Sequence, residues 1–472
     1  MGVCIMYLAQ ELASFLSFKE ILVVGIILIA VIFGGLSNGQ KRETANNRPL
    51  TFKGFGSRVE LERSSSFAKS YENLKYLRRP ASLELGKIGL VPYRLLGRDS
   101  SIVFGPTQSF KTSRLVIPAV SNFQGGVIAS SVKDDLLVET LNSRSSLGPV
   151  TIFDPLGVSD MGNSYFNPLE RPLSDLDARR ISEIICSTES TMAATEETRF
   201  WNSLAAKLLQ PLVLAASHMG GSLSEVVKWV DERDFTNAGE FLANNDFEVQ
   251  RRSLGASIDR EERQLSSVIT TLEKCLHPFR VGSEFEVGFQ NLAYYAPSLD
   301  STLYLISPPN RQREIGPVFG AVLTGIFDHI YSDPGRGHHK LLIALDEAAN
   351  IAPIPNLDEI VSTIAAFGVT IMTIFQDVAQ VRARYGERGA TLINNHRAKV
   401  FLGAISDPET LNLAELLCGM NYNQPSGFRR RQIEQTFERQ LLRRGGLRAL
   451  PPGKALVVYG HRNPAVVRLN RS

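Results

Sequence analysis

The stretch Gly105-Pro106-Thr107-Gln108-Ser109-Phe110-Lys111-Thr112-Ser113 has the residue types and spacing to hold a phosphate chain. It follows a short apolar run, Ser101 to Phe104, and precedes a helix-like stretch, Ser113 to Val120. Strand, loop, Lys-Thr and helix are the layout of a P-loop. Backbone N–H groups of such a loop, with a helix N-terminus behind them, cradle anionic phosphate. Lys111 would reach the β/γ-phosphates as a point charge, and the Thr112 hydroxyl would ligate Mg²⁺. One residue departs from the pattern: Phe110 stands where glycine precedes the lysine. Dropping that glycine makes chance matches about fourteen-fold commoner. The bland alternative is a strand-to-helix turn with a surface lysine, so the loop needs support from elsewhere.

Support comes from two strand ends. The apolar run Lys340 to Leu345 closes on Asp346-Glu347. Asp346 would hold Mg²⁺, usually through water, and Glu347 would orient or deprotonate the water attacking a γ-phosphate. A second run, Val369 to Phe375, ends in Gln376, an amide able to sense the γ-phosphate or position water. Acidic residues at a helix N-terminus are the competing explanation. Three elements in this order favour nucleotide chemistry.

These residues need a sheet to carry them. From Ser101 onward short apolar strands alternate with helices: Gly126 to Ser130, a helix from Asp134 to Ser145, then Pro149 to Phe153. That spacing predicts parallel βαβ units in a doubly covered sheet. Strand patterns then stop, and Leu173 to His277 reads as helices: Asp175–Cys186, Arg199–Ser217, Leu223–Val230, Ala238–Asn244 and Glu261–Leu276. Pro211 should bend or break the second of these. Strands resume at Ser301 to Ile306, followed by a helix from Pro317 to Tyr331 and another from Leu357 to Ala366. Lys399–Gly403 and Ala455–Tyr459 complete the sheet candidates, and Ile88 to Leu96 is a strand-like piece before the loop. The expected fold class is α/β, a P-loop core with an inserted all-α domain. Its parts would be residues 101–172, the insertion 173–280, and 281–472.

At 472 residues the chain has room for two or more domains, and its net charge of +3 with 43% apolar residues names no partner. Four scattered cysteines, Cys4, Cys186, Cys275 and Cys418, show no metal-ligand spacing and suit a reducing compartment. Ile21 to Leu36 carries no charge and no amide side chain. Extended back to Lys19, it reaches the length a bilayer core requires, about 20 residues. Residues 1–40 are therefore expected to be a membrane anchor with one span at about 19–36. Lys41, Arg42, Arg48, Lys53, Arg58 and Arg63 follow it, which predicts the N-terminus outside and the bulk of the chain in the cytoplasm. Residues 41–100 would be a basic juxtamembrane segment in contact with the lipid bilayer.

Leu342-Ile343-Ala344-Leu345-Asp346-Glu347-Ala348-Ala349-Asn350-Ile351-Ala352-Pro353 resembles the second nucleotide motif of type IV secretion coupling proteins, the TraG/TraD-like conjugative ATPases. Ser130-Ser131-Val132-Lys133, Phe153-Asp154-Pro155, Asn167-Pro168-Leu169, Asn394-Asn395-His396-Arg397 and Leu450-Pro451-Pro452-Gly453 extend the resemblance from residue 90 to the end. It is closest to the actinobacterial-type members. The resemblance implies a RecA-like motor domain using ATP and Mg²⁺, an inserted all-α domain, a membrane anchor and assembly into a homo-hexamer. It also implies delivery of single-stranded DNA and its relaxase, or of protein substrates, to the components of a secretion channel.

Besides Phe110, a second position departs from the family. Ser362-Thr363-Ile364-Ala365 matches a segment that usually carries Gly-Arg after Ser-Thr, and that arginine stabilises transition-state charge across a subunit boundary. Here the position is Ala365; Arg382, Arg384 and Arg397 are the sequence's possible replacements. The leading reading is an active coupling ATPase. The alternatives are a weakly hydrolysing docking platform at the membrane and, less favoured, a double-stranded DNA translocase sharing the same core.

Overall fold

The computed structural model describes residues 83–470, apart from 96, 189–194, 281–287, 334–339, 352–353, 355, 423–437 and 441–443. These residues all fall in one unit, Lys53–Ser472. The expected anchor and most of the basic segment lie outside the described residues. Among the described residues no helix is long and apolar enough to cross a membrane.

Short apolar runs build a single large sheet. Its strands are β1 (Glu84–Ile88), β2 (Val91–Arg94), β3 (Ser101–Phe104), β4 (Gly126–Ser131), β5 (Val150–Phe153) and β6 (Thr302–Ile306). They continue with β7 (Leu341–Leu345), β8 (Val369–Phe375), β9 (Ala398–Leu402), β10 (Lys454–Tyr459) and β11 (Ala465–Arg468). The spatial order is β2-β1-β11-β10-β9-β3-β8-β7-β4-β6-β5. From β9 to β5 every pairing is parallel. Strands β3, β4, β6, β7 and β8 are buried at every position, so they read as largely apolar runs with small serines and threonines, as strands covered on both faces do.

The remaining edge is antiparallel, which the spacing of the βαβ units did not indicate. Short connections cannot make a crossover, so β10 and β11 pair as a hairpin across residues 460–464. The run Ile88 to Leu96 is likewise not one strand. Gly89, at φ +63°, turns the chain so that β1 and β2 form a hairpin.

After β3 comes a π-helical turn, Thr112–Val116, leading into α1 (Ile117–Asn122); α2 (Asp135–Ser145) follows β4. Between β5 and β6 lie α3 (Asp175–Thr188), α4 (Glu196–His218), α5 (Leu223–Glu232), α6 (Thr236–Asn244), α7 (Glu248–Ile258) and α8 (Glu262–Leu276). Helix α7 had no sequence signal. It buries only Leu254 and Ser257, and its first turn is an exposed Glu248–Arg251–Arg252 ion cluster. Helix α4 runs unbroken through Pro211, contrary to the expected break. Leu208, Leu209, Leu212 and Val213 are all fully buried, and that packing outweighs the lost backbone hydrogen bond.

The two ends of this helical run are clasped. Ser164–Tyr165 pairs in parallel with Gln290–Asn291, and Asn291 both accepts from Asn167 N (3.1 Å) and donates to Asn167 O (2.7 Å). Helix α9 (Gln312–Ser332) starts five residues before Pro317, on bonds from Glu314 N and Ile315 N to Arg311 O, both 3.1 Å. An ion pair from Arg180 to Asp328, 2.5 Å, ties α3 to α9.

The rest of the chain adds α10 (Ala348–Ile351), α11 (Leu357–Thr363) with a 3₁₀ turn at Ile364–Phe367, α12 (Val378–Tyr385), α13 (Arg388–Asn395), α14 (Pro408–Cys418) and α15 (Arg444–Arg448).

At the end of α13, His396 is fully buried against β8. Its Nδ1 lies 2.8 Å from Leu392 O, which can only accept, so Nδ1 carries the proton and Nε2 accepts from the Thr373 hydroxyl at 3.0 Å. Burial pushes its pKa down from 6.5 to about 4. The unfolded chain then binds the extra proton first, so stability is lost as pH falls from 6.5 towards 4. Denaturant titrations at pH 7 and pH 5 should show the wild-type chain losing about 2 kcal/mol more than His396→Asn, whose side chain does not titrate.

Candidate functional site

The carboxyl ends of three adjacent parallel strands, β3, β8 and β7, converge on one place. Phe375 is in register with Phe104, and Gly105 N donates to Phe375 O at 3.2 Å, so the loop leaving β3 starts level with Gln376. Open α/β sheets bind ligands at strand ends of this kind.

The loop is built tightly. A Cβ on Gly105 would stand 2.7 Å from Leu402 Cδ1 and 2.8 Å from Ser109 Oγ, so a larger residue would have to displace both side chains. Ser109 Oγ donates to Pro106 O at 2.7 Å. Lys111 turns back into the loop, its Nζ donating to Gly105 O (2.7 Å) and Pro106 O (2.8 Å). Thr107 and Gln108 are exposed, while Ser113 is half-buried behind the lysine. Two residues take positive φ, Gln108 at 61° and Phe110 at 63°. Left-handed backbone costs a residue with a Cβ about 1–2 kcal/mol. Phe110 therefore keeps the conformation that a glycine there adopts freely. Its ring is 45% exposed and lies beneath the Arg114 guanidinium, 4.9 Å from the ring centroid.

Across the loop, Thr112 Oγ1 donates to Asp346 Oδ2 at 2.5 Å. Asp346 is 2% exposed, and its other oxygen, Oδ1, is buried with no partner. Burial pushes this carboxyl above the usual range, opposed by the Thr112 hydrogen bond. Burial also lowers the Lys111 ammonium, opposed by the charges of Asp346 and Glu347. A hydroxyl facing a carboxylate with one orphaned oxygen suits Mg²⁺, which takes few protein oxygens and keeps water and phosphate as its other ligands.

Glu347 is half-buried at φ +54° and accepts a long contact from Gln312 Nε2, 3.5 Å. Gln376 is half-buried, its backbone N–H held by Gln380 Oε1 at 2.8 Å. Gln312 and Gln380 carried no sequence signal, since each acts from a helix that only tertiary packing brings to the strand ends. Gly453 does lie in a noted motif: at φ +80°, it leaves room for Arg114, whose Nη1 would stand 2.1 Å from a Cβ there.

Ala365 lies elsewhere. The 3₁₀ turn that carries it precedes β8, on the sheet edge opposite the loop, and Arg98 Nη1 donates to Ala365 O (3.0 Å) and Ala366 O (3.1 Å). Arg397, before β9, shares that edge and stands 3.6 Å from Asp99. Arg382 is on the loop side, ion-paired to Glu409 at 2.5 Å. Arg98 was not among the arginines singled out from sequence.

Fold and site define a P-loop protein of the RecA-like α/β class. The chain belongs to the family described as Type IV secretory system Conjugative DNA transfer, whose model matches residues 60–468. It is 22% identical over 339 residues to the conjugal transfer protein TraG of Escherichia coli, covering 64% of this chain and 52% of that protein. It is also 22% identical over 332 residues to protein VirD4 of Rhizobium radiobacter, covering 66% and 46%. The chain thus spans about half the length of the relatives it matches. Its fold is similar to that of the bacterial conjugative coupling protein TrwBdeltaN70, with a TM-score of 0.68 at 16% identity over 88% of this chain and 92% of that one. TrwB in complex with ADP and Mg²⁺ gives a TM-score of 0.65 at 17% identity, covering 79% and 85%.

The raised folded pKa of Asp346 fixes the sign of a stability test. Its ionisation favours the unfolded chain, so the carboxyl's stabilising effect is full below its ordinary value of 3.8 and is lost as pH rises from there through the raised folded value. Asp346→Asn keeps an acceptor for Thr112 and removes the buried charge. At pH 7, without ligand, its melting temperature should equal or exceed that of the wild type, by about 2 °C. A clear drop would mean that the carboxylate is favourably paired in the folded chain.

Proposed function

We propose that this chain is an ATP-driven coupling protein delivering single-stranded DNA and its relaxase, or a protein substrate, to a type IV secretion channel. Family membership supports the system, and the Thr112–Asp346 contact with its orphaned oxygen beside buried Lys111 carries the nucleotide assignment. Solved relatives in complex with ADP and Mg²⁺, or with an ATP analogue, support ATP and Mg²⁺ as the ligands.

Bound Mg-ATP supplies the phosphoanhydride whose hydrolysis drives transport. The chain's own residues do the rest. Backbone N–H groups of Gly105 to Thr112 would wrap the phosphates, and Lys111 would exchange its two loop carbonyls for phosphate oxygens. Thr112 and Asp346 would hold the metal, Glu347 would orient or deprotonate the attacking water, and Gln376 would sense the terminal phosphate or position that water. On this reading helices α3 to α8, residues 173–280, form an inserted domain between two parts of the motor, residues 101–172 and 281–472. Residues 1–40 anchor the chain in the cell membrane with the N-terminus outside, residues 41–100 lie at the bilayer, and the motor domains assemble as a homo-hexamer.

One observation favours a second reading, a weakly hydrolysing docking platform: Ala365 offers no guanidinium where the family resemblance leads one to expect it. Turnover of the purified full chain, with and without single-stranded DNA, separates the two. Robust DNA-stimulated hydrolysis supports the motor, whereas tight Mg-ATP binding without turnover supports the platform.

Calorimetry should show Mg-ATP binding to the wild type and loss of at least about tenfold in affinity with Lys111→Ala. Unchanged affinity would remove the loop from the site. Asp346→Asn should make binding insensitive to Mg²⁺. A reporter fused after Ser472 should be cytoplasmic, and its exposure outside the cell would overturn the topology.

A further inference from the structure

Phe110 is an aromatic side chain held where side chains are disfavoured, and burial is not its reason. Its backbone sits at φ +63° and its ring remains 45% exposed. Three local features serve this ring. The π-helical turn Thr112–Val116 follows directly, and such turns concentrate at functional sites. Arg114, whose N–H donates to Phe110 O at 3.0 Å, sets its guanidinium 4.9 Å from the ring centroid. Gly453, in the turn just before β10, leaves the space that this guanidinium fills. A flat apolar face and a planar cation are thereby fixed together at the rim of the phosphate loop.

We propose that Phe110 and Arg114 form a stacking wall for the nucleoside end of the bound nucleotide, so that this site distinguishes a nucleoside triphosphate from bare triphosphate. The inference rests on the nucleotide reading of the same loop and adds what selects the ligand there. A heterocyclic base presents a π face to an aromatic ring or a guanidinium plane, whatever its hydrogen-bonding edge. The wall therefore favours nucleoside triphosphates as a class. Its position follows from the chain: Phe110 immediately precedes Lys111, and Arg114 lies one turn along the helix that the loop enters. The exposed ring is turned to Arg114 and solvent, so it flanks the cradle and does not fill it.

The test is calorimetric binding of Mg-ATP and of inorganic Mg-tripolyphosphate to the full chain and to Phe110→Ala, Phe110→Tyr and Arg114→Ala. Phe110→Ala keeps a Cβ at the strained backbone position and removes only the ring. It should weaken ATP by about 5- to 150-fold, the range of base–aromatic stacking losses, and weaken tripolyphosphate far less. Phe110→Tyr should bind ATP as the wild type does. Arg114→Ala should lose less, again mainly for ATP. Equal losses for both ligands, or tighter binding of both, would overturn the wall, the latter by showing that the ring crowds the phosphates. A wild-type chain that binds both ligands equally also overturns it while leaving the phosphate site standing. Binding of neither ligand would remove the nucleotide reading and this inference with it.

Discussion

The short bond from the Thr112 hydroxyl to the Asp346 carboxylate joins two strands that are not neighbours in the sheet, β3 and β7, across the end of β8. Everything at the site depends on it. The loop can stand at the mouth of the sheet only because β3, β8 and β7 end nearly level, as their parallel registers require. Isolated from water, the carboxylate would be costly, and one hydrogen bond only partly offsets that. The orphaned Oδ1 is the remaining cost, left unpaired at the mouth of the loop.

Strain concentrates at the same place. Gln108, Phe110 and Glu347 all take left-handed backbone within a few residues of Lys111 and Asp346. Each costs free energy that the surrounding sheet must supply, and the core has the means. Ile102, Val103, Phe104, Leu342 to Leu345 and Ile371 to Phe375 are buried almost completely, and Phe104 stacks on Phe401 with centroids 5.5 Å apart. Backbone strain of this kind persists where packing over-determines the local conformation. The site is thus held by the sheet beneath it, and not by its own loop.

The opposite edge has a different character. Arg98 caps the carbonyls of the 3₁₀ turn at Ala365, Arg397 stands by Asp99, and the Arg462 guanidinium lies over the Tyr459 ring. A guanidinium there is separated from its own loop by the length of the strands. An alanine at position 365 therefore leaves the chain's own phosphate loop geometrically intact.

Sequence alone determined the order of chemistry along the chain. Lys111-Thr112 after one strand, Asp346-Glu347 after another and Gln376 after a third are local signals, because an apolar run followed by a polar residue marks a strand end wherever the strand lies. The helical run between β5 and β6 was legible for the same reason, from apolar spacing within single helices. What the sequence could not decide is whatever depends on which distant segments touch. Periodicity does not show that Asn167 clasps Asn291, or that α4 survives Pro211. Nor does it show that Arg144, in the last turn of α2, is fully buried and donates to Thr302 Oγ1, Phe123 O and Gly125 O. The antiparallel edge and the partners of Phe110 belong to the same group. Strand direction and side-chain company are set by long-range packing, where many weak contacts from distant segments outweigh local preference.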